Sequence, residues 1–266
     1  MFDSIAGDYD SLNHILSLDV DKIWRKKALK QIVDAPAPAR VLDLACGTGD
    51  FSIAIAKALS RSHKRVGTPI EAHVKAPAKA PVEAQVTSTG FVTGDSGRSD
   101  LMTKGHVTGV DLSEGMLAVM REKVQKSGLT EMISIEEGDG ENLRFPDNTF
   151  DRVTIAFGIR NFENREKGLR EMLRVLKPGG RLVILELSRP ENKIIRWFYD
   201  LYFLHILPKI GGKVSGDKAA YAYLPASVAA FPGKKAFMAT MREAGFRTVT
   251  HKAFTLGICR MYTGEK

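Results

Sequence analysis

Residues 41–52, VLDLACGTGDFS, constrain the fold of this chain more than any other stretch. The run 41–45 is apolar except for Asp43, which is typical of a buried β-strand. Gly47 and Gly49 allow the backbone to turn tightly and to approach a ligand closely. The pattern then predicts a helix over about residues 50–60, and the first N–H groups of a helix lack partners within it. We therefore expect a strand, a glycine turn and a helix beside a ligand site; a turn needed only for packing is the alternative.

The charges around this turn indicate which ligand it suits. A dinucleotide fingerprint, GxGxxG, needs a third glycine at position 52, where this chain has Ser52. Asp43 and Asp50 also bracket the turn with negative charge. That charge repels a pyrophosphate but attracts a ligand that carries an ammonium and a sulfonium group. The turn is therefore predicted to bind S-adenosylmethionine.

A second acid supports a nucleoside site if one long segment is an insertion. The strand predicted over residues 106–111 ends at Asp111, where a carboxylate can accept both ribose hydroxyls. In compact nucleotide-binding units this acid follows the glycine turn by about 20 residues. Asp111 lies 62 residues beyond Gly49, and removal of the 45 residues 61–105 leaves 17. That segment is rich in Ala, Pro and Lys without a sustained apolar period, so we predict that 61–105 is a mobile insertion.

Strands alternate with helices along the chain, which predicts the fold class. The predicted strands cover residues 41–45, 106–111, 133–139, 150–157 and 181–186, and a closing pair covers 246–254 and 257–262. Helices are predicted over about 19–33, 50–60, 165–176, 221–230 and 234–244, and from Ser113; Pro178, Gly179 and Gly180 are expected to end the helix 165–176. These features predict an α/β, doubly wound parallel sheet in one domain over residues 1–266, capped by N-terminal helices. Asp43, Asp111 and Asp139 should meet at the carboxyl edge of this sheet, where the ligand crevice lies.

Composition limits where such a chain works. Cys46 and Cys259 make no disulfide or zinc pattern, so we expect a reducing cytosol and no metal. Because no apolar run reaches 18 residues, we expect neither a signal peptide nor a membrane span, and any membrane contact must be peripheral. The net charge of +8 is compatible with an anionic membrane or nucleic acid, and equally with an ordinary solvated surface.

Residues 194–212, IIRWFYDLYFLHILPKIGG, are unusually apolar and aromatic for an amphipathic segment. Core packing is one reason for such a composition. A wall or lid over a long apolar substrate is another, and a helix lying in a membrane interface is a third. These three interpretations stay open from the sequence.

Several motifs, taken together, resemble one family. They are FDSIAGDYDSLNHILSLDVDKIWR (2–25), FPDNTFDRVTIAFGIRNF (145–162), DKAAYAYLPASVAAFP (217–232) and LGIC (256–259). The glycine turn and KPGGRL (177–182) are shared more widely among methyltransferases. The chain is similar to class I S-adenosylmethionine-dependent methyltransferases, and more narrowly to the menaquinone and ubiquinone biosynthesis C-methyltransferase family. The resemblance covers nearly everything outside 61–105, and an insertion there is not typical of the family.

The resemblance implies a fold, a cofactor site and a reaction. The fold would be a seven-stranded sheet with its last strand antiparallel. The reaction would be methyl transfer from S-adenosylmethionine to a ring carbon of demethylmenaquinol, giving menaquinol. Many relatives carry Ser at the position of Ala156, so a cofactor contact there would use only its backbone or methyl group. The other implied cofactor residues are Asp43, Gly47, Thr48, Gly49, Asp111, Asp139 and Gly140.

A ring carbon is a poor nucleophile unless a neighbouring hydroxyl loses its proton. Arg160, just after the fourth predicted strand, is our candidate to stabilise the developing phenolate, with Asn161 to orient it. Tyr9 and Asp10 are candidates to orient a water or to take the proton. A structural salt bridge is the alternative role for Arg160.

Two other functions compete with this reading. One is C-methylation of a polyprenyl benzoquinol in ubiquinone biosynthesis. The other is a non-catalytic S-adenosylmethionine-binding or RNA-associated subunit, although the chain lacks aromatic RNA-binding signatures. For the favoured reading we expect a prenylated quinol substrate, peripheral contact with the inner face of the membrane from the cytoplasm, no nucleic-acid partner, and a homodimer as one candidate assembly.

Overall fold

The computed structural model describes residues 19–35, 39–66, 105–202 and 218–266. Seven helices in these ranges are α1 (Val20–Ile32), α2 (Asp50–Val66), α3 (Glu114–Lys126), α4 (Arg165–Val175), α5 (Lys193–Leu201), α6 (Lys218–Ala230) and α7 (Lys234–Glu243). Seven strands are β1 (Arg40–Leu44), β2 (His106–Asp111), β3 (Ile133–Glu137), β4 (Phe150–Ala156), β5 (Leu176–Leu187), β6 (Arg247–Phe254) and β7 (Cys259–Glu265). Two short 3-10 turns cover Ile159–Asn161 and Thr255–Gly257. Among the helices in these ranges, none has the length and apolarity needed to cross a bilayer.

All seven strands form one sheet in the order β3-β2-β1-β4-β5-β7-β6. Strands β1 to β5 pair in parallel, and β7 runs antiparallel to β5 and to β6. The order reverses beside β1, because β2 lies on one side of it and β4 on the other. A ligand crevice forms at such a switch point, outside the carboxyl ends of the strands. The predicted fold class, including the antiparallel last strand, is confirmed.

A hydrophobic core covers each face of the sheet. Alternate residues of β1 belong to different cores, because successive side chains of a strand point to opposite faces. Val41 packs with Trp24 of α1 and with residues of α2 and α3, whereas Leu42 packs with residues of α4 and α7. Asp43 therefore faces the same side as Val41, toward α1 and α2.

Two predicted boundaries were wrong. Helix α2 continues to Val66, so residues 61–66 of the predicted insertion are helical. The residues after Ser60 contain no glycine or proline before Gly67, so nothing stops the helix earlier. Residues 67–104 lie outside the described residues. The start of β5 was predicted too late, at residue 181. The run Pro178-Gly179-Gly180 belongs to this strand, which begins at Leu176. The pairing of β5 with β4 shifts register between Leu176 and Arg181, and Gly179 adopts a φ of 75° there.

Candidate active site

The carboxyl ends of β1 and β4 make two unusual turns side by side. Ala45 follows β1 with a φ of 48°, and Phe157 follows β4 with a φ of 63°. A side chain other than glycine rarely adopts this left-handed conformation, and such strain is concentrated at functional sites. The next residue, Gly158, packs so closely that an added Cβ would lie 2.4 Å from the Cβ of Ala45. The two strand ends are therefore built against each other.

Gly47 and Gly49 serve different purposes in the turn after β1. Both have a positive φ, of 56° and 83°. A Cβ on Gly47 would meet no atom within 4 Å, whereas a Cβ on Gly49 would lie 2.4 Å from the Cγ of Met120. Gly49 thus permits close packing against α3, and Gly47 leaves open space beside the backbone on the ligand side.

Alanine substitutions should separate these two roles. We expect Gly49→Ala to lower the free energy of unfolding by about 2–4 kcal/mol, because a strained φ adds to an overpacked contact with Met120. Gly47→Ala should cost only about 1 kcal/mol, from its φ alone. Urea unfolding of both variants measures this difference. Equal losses of stability would show that the contact with Met120 does not matter.

One cavity at this edge suits a nucleoside. It has a volume of about 470 Å³. Its lining includes Asp111 at the end of β2 and Ser113 just beyond it, Asp139 and Gly140 after β3, and Asn161 after β4. Backbone N–H groups hold both of its strand-end acids. Asp111 accepts hydrogen bonds from the N–H groups of Gly47 (2.8 Å) and Ser113 (2.9 Å), and Asp139 accepts one from Glu141 (2.8 Å). The two carboxylates are thereby fixed at the cavity wall.

A second cavity of about 430 Å³ is mainly apolar and lies toward α1, α5 and α6. Trp24 and Phe157, whose ring centroids are 6.2 Å apart, line it together with Phe198, Tyr199 and Leu256. The indole Nε1 of Trp24 donates to the Thr255 hydroxyl at 2.9 Å, so α1 is tied to the 3-10 turn after β6. The two cavities share four lining residues, Ala45, Gly47, Ala156 and Phe157. A nucleoside in one cavity would therefore adjoin an apolar molecule in the other.

Asp43 lines the apolar cavity rather than the nucleoside cavity. We expected Asp43, Asp111 and Asp139 to meet at the carboxyl edge of the sheet. Asp43 lies at that edge with its side chain turned toward α1 and α2, and its role in cofactor binding stays a prediction. Its carboxylate is 1% exposed and accepts a hydrogen bond from the Ser52 hydroxyl at 2.5 Å. Burial, with a smaller contribution from the nearby Asp111 carboxylate, raises the pKa of Asp43 to about 7 against the opposing effects of Ser52 and Arg25.

Asp43 should therefore make stability depend on pH. In the unfolded chain this carboxyl has its ordinary pKa of 3.8, so between about pH 4 and pH 7 the folded state binds more protons than the unfolded state. The free energy of unfolding should fall as pH rises through this window. We expect Asp43→Asn, which cannot ionise, to be more stable than the parent by roughly 2–4 kcal/mol at pH 8 and about equal at pH 4. Thermal unfolding across this range measures the difference, and Glu137→Gln, at an exposed strand end, is the control. A gain that does not change with pH would contradict this assignment.

Arg160 lies in the 3-10 turn after β4 and lines the apolar cavity, but it is also half of a buried ion pair. Its Nη1 donates to the fully buried Glu186 at 2.9 Å and to the backbone carbonyl of Phe157. Its backbone N–H donates to the other oxygen of Glu186 at 3.2 Å, and its Nε donates to the Ser227 hydroxyl at 3.3 Å. The salt-bridge role is therefore present, and it fixes the guanidinium at the cavity wall.

The remaining predicted site residues are distributed as follows. Asn161 lines the nucleoside cavity and accepts a hydrogen bond from the Tyr223 hydroxyl at 2.9 Å. Thr48 lines the apolar cavity and accepts a hydrogen bond from Lys123 at 3.3 Å. Lys123 also pairs with Asp50, so one of the two acids that bracket the turn has a cation beside it. Tyr9 and Asp10 lie outside the described residues.

Sequence reasoning missed two residues of this site, Ser52 and Glu186. Ser52 was noticed only as the absent third glycine, although a hydroxyl one helical turn into α2 can reach back to the preceding strand. Glu186 is an acid that follows the apolar run 182–185 near the end of β5, and this is the same signal that singled out Asp43. Applied to β5, that signal would have identified it.

Comparison with known proteins identifies the family. The model of the ubiE/COQ5 methyltransferase family matches residues 1–266. The chain is 44% identical over 266 residues to a "Ubiquinone/menaquinone biosynthesis C-methyltransferase UbiE" of Geobacter sulfurreducens, covering 100% of this chain and 87% of the relative. It is 41% identical over 266 residues to a "Demethylmenaquinone methyltransferase" of Deinococcus radiodurans, covering 100% and 91%.

Solved structures agree on the fold. A methyltransferase from Aquifex aeolicus, titled as SAM dependent, matches with a TM-score of 0.53 and 19% identity, covering 90% of this chain and 88% of that one. The [4+2]-cyclase SpnF matches with a TM-score of 0.59 and 16% identity, covering 91% and 80%. Since a cyclase shares the architecture, the fold alone does not set the reaction. The match over its whole length shows that the chain belongs to the ubiE/COQ5 methyltransferase family.

Proposed function

We propose that this enzyme transfers a methyl group from S-adenosylmethionine to a ring carbon of demethylmenaquinol, giving menaquinol. The observation that carries the proposal is the shared wall between a nucleoside cavity and an apolar, aromatic cavity. A methyl donor and an apolar acceptor must be in contact at the moment of transfer. Relatives named demethylmenaquinone methyltransferase support the choice of acceptor.

The residues of the nucleoside cavity fit the methyl donor. Asp111 would accept the ribose hydroxyls, and Asp139 and Gly140 would meet the adenine. Gly47 leaves open space into which the cofactor could approach the protein backbone, since a Cβ there would meet nothing within 4 Å. Thr48, Gly49 and Ala156 complete the turn and the shared wall. Asp43 adds a buried carboxyl near the position that a methionine ammonium would take. When bound, the cofactor supplies an electrophilic methyl group on a sulfonium.

The apolar cavity would hold the quinol ring against the shared wall. Trp24 and Phe157 offer aromatic faces for a bicyclic ring, and Phe198 and Leu256 extend the apolar lining toward solvent. A ring held here lies in position for attack at near contact distance, which removes much of the entropic cost of a two-molecule reaction. A ring packed against this apolar lining would displace water, so charge on the ring would interact strongly with nearby donors.

Arg160 would stabilise the phenolate that makes the ring carbon nucleophilic. Because Glu186 compensates its charge, Arg160 would act as a fixed hydrogen-bond donor at the wall rather than as a lone positive charge. Asn161, held by Tyr223, would orient the neighbouring loop. Tyr9 and Asp10 stay our candidates to orient a water or to take the proton.

A direct assay tests the function. The protein is incubated with labelled S-adenosylmethionine and reduced demethylmenaquinone in lipid, and the product is identified by mass spectrometry. A parallel reaction contains a polyprenyl benzoquinol, the acceptor of the alternative function, because the name of the Geobacter sulfurreducens relative includes both ubiquinone and menaquinone biosynthesis. Label only in menaquinol supports the proposal, whereas label only in the benzoquinol favours the ubiquinone route. No label in either quinol would overturn both.

Location and assembly complete the proposal. We place the enzyme at the inner face of the membrane, in peripheral contact from the cytoplasm, because its acceptor carries a prenyl tail. A homodimer stays a prediction that analytical ultracentrifugation can check. One domain over residues 1–266 and an insertion over 61–105 also stay predictions, and limited proteolysis can check both.

A further inference from the structure

Helix α5 exposes a continuous apolar stripe. Ile194, Trp197, Phe198 and Leu201 are spaced at i, i+3, i+4 and i+7, which places them on one side of the helix. Ile194 is 70% exposed, Trp197 61% and Phe198 60%. Single exposed apolar residues are ordinary, but four on one short helix form a patch that is typical of an interaction site.

The rest of the protein holds this helix in place, so the stripe is a defined surface. Asn192 caps its start by accepting from the N–H groups of Ile194 (2.9 Å) and Ile195 (3.2 Å). Near the end of the helix, Arg189 forms a bidentate salt bridge with Asp200, in which its Nε and Nη2 donate to the two carboxylate oxygens at 3.1 and 2.5 Å. Tyr199 is buried on the opposite side.

The stripe is continuous with the rim of the apolar cavity. Phe198 belongs to both, and Ile195 and Tyr202 of the same segment also line the cavity. Across the opening, Leu256 is 71% exposed and adopts a φ of 57°, a conformation that leucine rarely takes. An apolar surface therefore leads directly from solvent into the acceptor cavity.

Positive charge accompanies the stripe. Lys193 begins α5, is exposed, and forms no salt bridge with any residue of the ranges 19–35, 39–66, 105–202 and 218–266. Arg196 lies on the other side of the helix, where its Nε donates to the carbonyl of Pro190 at 2.8 Å. The whole chain carries a net charge of +8. Apolar side chains combined with an exposed lysine and a positive net charge suit the interface of an anionic bilayer.

We propose that the outer face of α5, together with Leu256, docks on an anionic lipid bilayer and places the mouth of the acceptor cavity against it. This inference rests on the proposed prenylated quinol, whose tail would then stay among the lipid chains while its ring enters the cavity. A second copy of the chain fits this face less well, because the cations of two such helices would be brought together.

Vesicle flotation without any quinol tests the docking face. The parent protein, saturated with S-adenosylhomocysteine, should float with vesicles of phosphatidylcholine and phosphatidylglycerol. The double variant Ile194→Ser/Trp197→Ser changes two residues that do not line the cavity, and its binding should fall about tenfold or more. Lys193→Glu should weaken binding to the anionic vesicles but not to pure phosphatidylcholine.

Ile23→Ser is the matched control, because Ile23 is also an exposed apolar residue on a helix but lines neither cavity; its flotation should equal that of the parent. Undiminished flotation of the double variant overturns the proposal. A lower oligomeric mass of the double variant than of the parent, measured by ultracentrifugation, would also overturn it, because this face would then be an interface with a second copy of the chain. An assay with a short-tailed, water-soluble quinol separates this inference from the proposed function: the double variant should keep its turnover there, and absence of turnover in the parent would count against the function instead.

Discussion

Arg160→Ala is expected to lower the free energy of unfolding by about 3–5 kcal/mol, because it leaves Glu186 buried without its cation. Glu186 would keep two backbone donors, the N–H groups of Arg160 and Leu187. These cannot replace the charge of a guanidinium. Chemical unfolding of the single variant at neutral pH measures the loss. A loss below about 1 kcal/mol would show that the pair contributes little.

The double variant Arg160→Met/Glu186→Gln separates folding from chemistry. It removes both charges and should recover most of the stability, as replacement of a buried ion pair by neutral side chains often does. Its turnover should still fall about 10²-fold, in line with loss of a donor to the phenolate. Its affinity for S-adenosylhomocysteine should stay close to that of the parent. Turnover equal to the parent's in this folded variant would exclude Arg160 from the mechanism.

Asp111→Ala is expected to weaken S-adenosylhomocysteine binding about 10²-fold, because the ribose would lose a charged acceptor and the glycine turn would lose its partner. Titration calorimetry measures the affinity. Asp111→Asn, which keeps one carbonyl oxygen, should lose less.

Glu137→Ala gives the matched control for Asp111. Glu137 pairs in register with Asp111 at the same edge of the sheet, but it is exposed and does not line the nucleoside cavity. Its replacement should leave the affinity within about twofold. If Asp111→Ala behaved like this control, the ribose role of Asp111 would have to be abandoned.

The sheet was predictable from the sequence because its signals are local. Apolar runs, glycine turns and strand-end acids each lie within a few residues of the element that they define. The spacing of Asp111 from Gly49 matched that of compact nucleotide-binding units only after residues 61–105 were treated as an insertion. The end of α2 was placed too early because composition, rather than a stop signal, set the predicted boundary.

The site was less predictable because its contacts are tertiary. No local pattern around Arg160 shows that Glu186, on the next strand, will accept hydrogen bonds from it. The direction in which Asp43 points was not predicted for a related reason: a strand-end acid indicates the edge of the sheet but not the face toward which its side chain turns. The alternation of Val41 and Leu42 between the two cores contained that information.

The wall shared by the two cavities limits the size of the side chain at position 156, at the end of β4. Ala156 offers a single methyl group between the nucleoside and the apolar acceptor, so a serine, which differs from it by one atom, can replace it while leaving the passage open. A leucine or phenylalanine at this position would fill the passage and part the two reactants. We therefore expect a large side chain at position 156 to block methyl transfer, whereas substitutions along α5 and at Leu256 should change which acceptors enter the cavity.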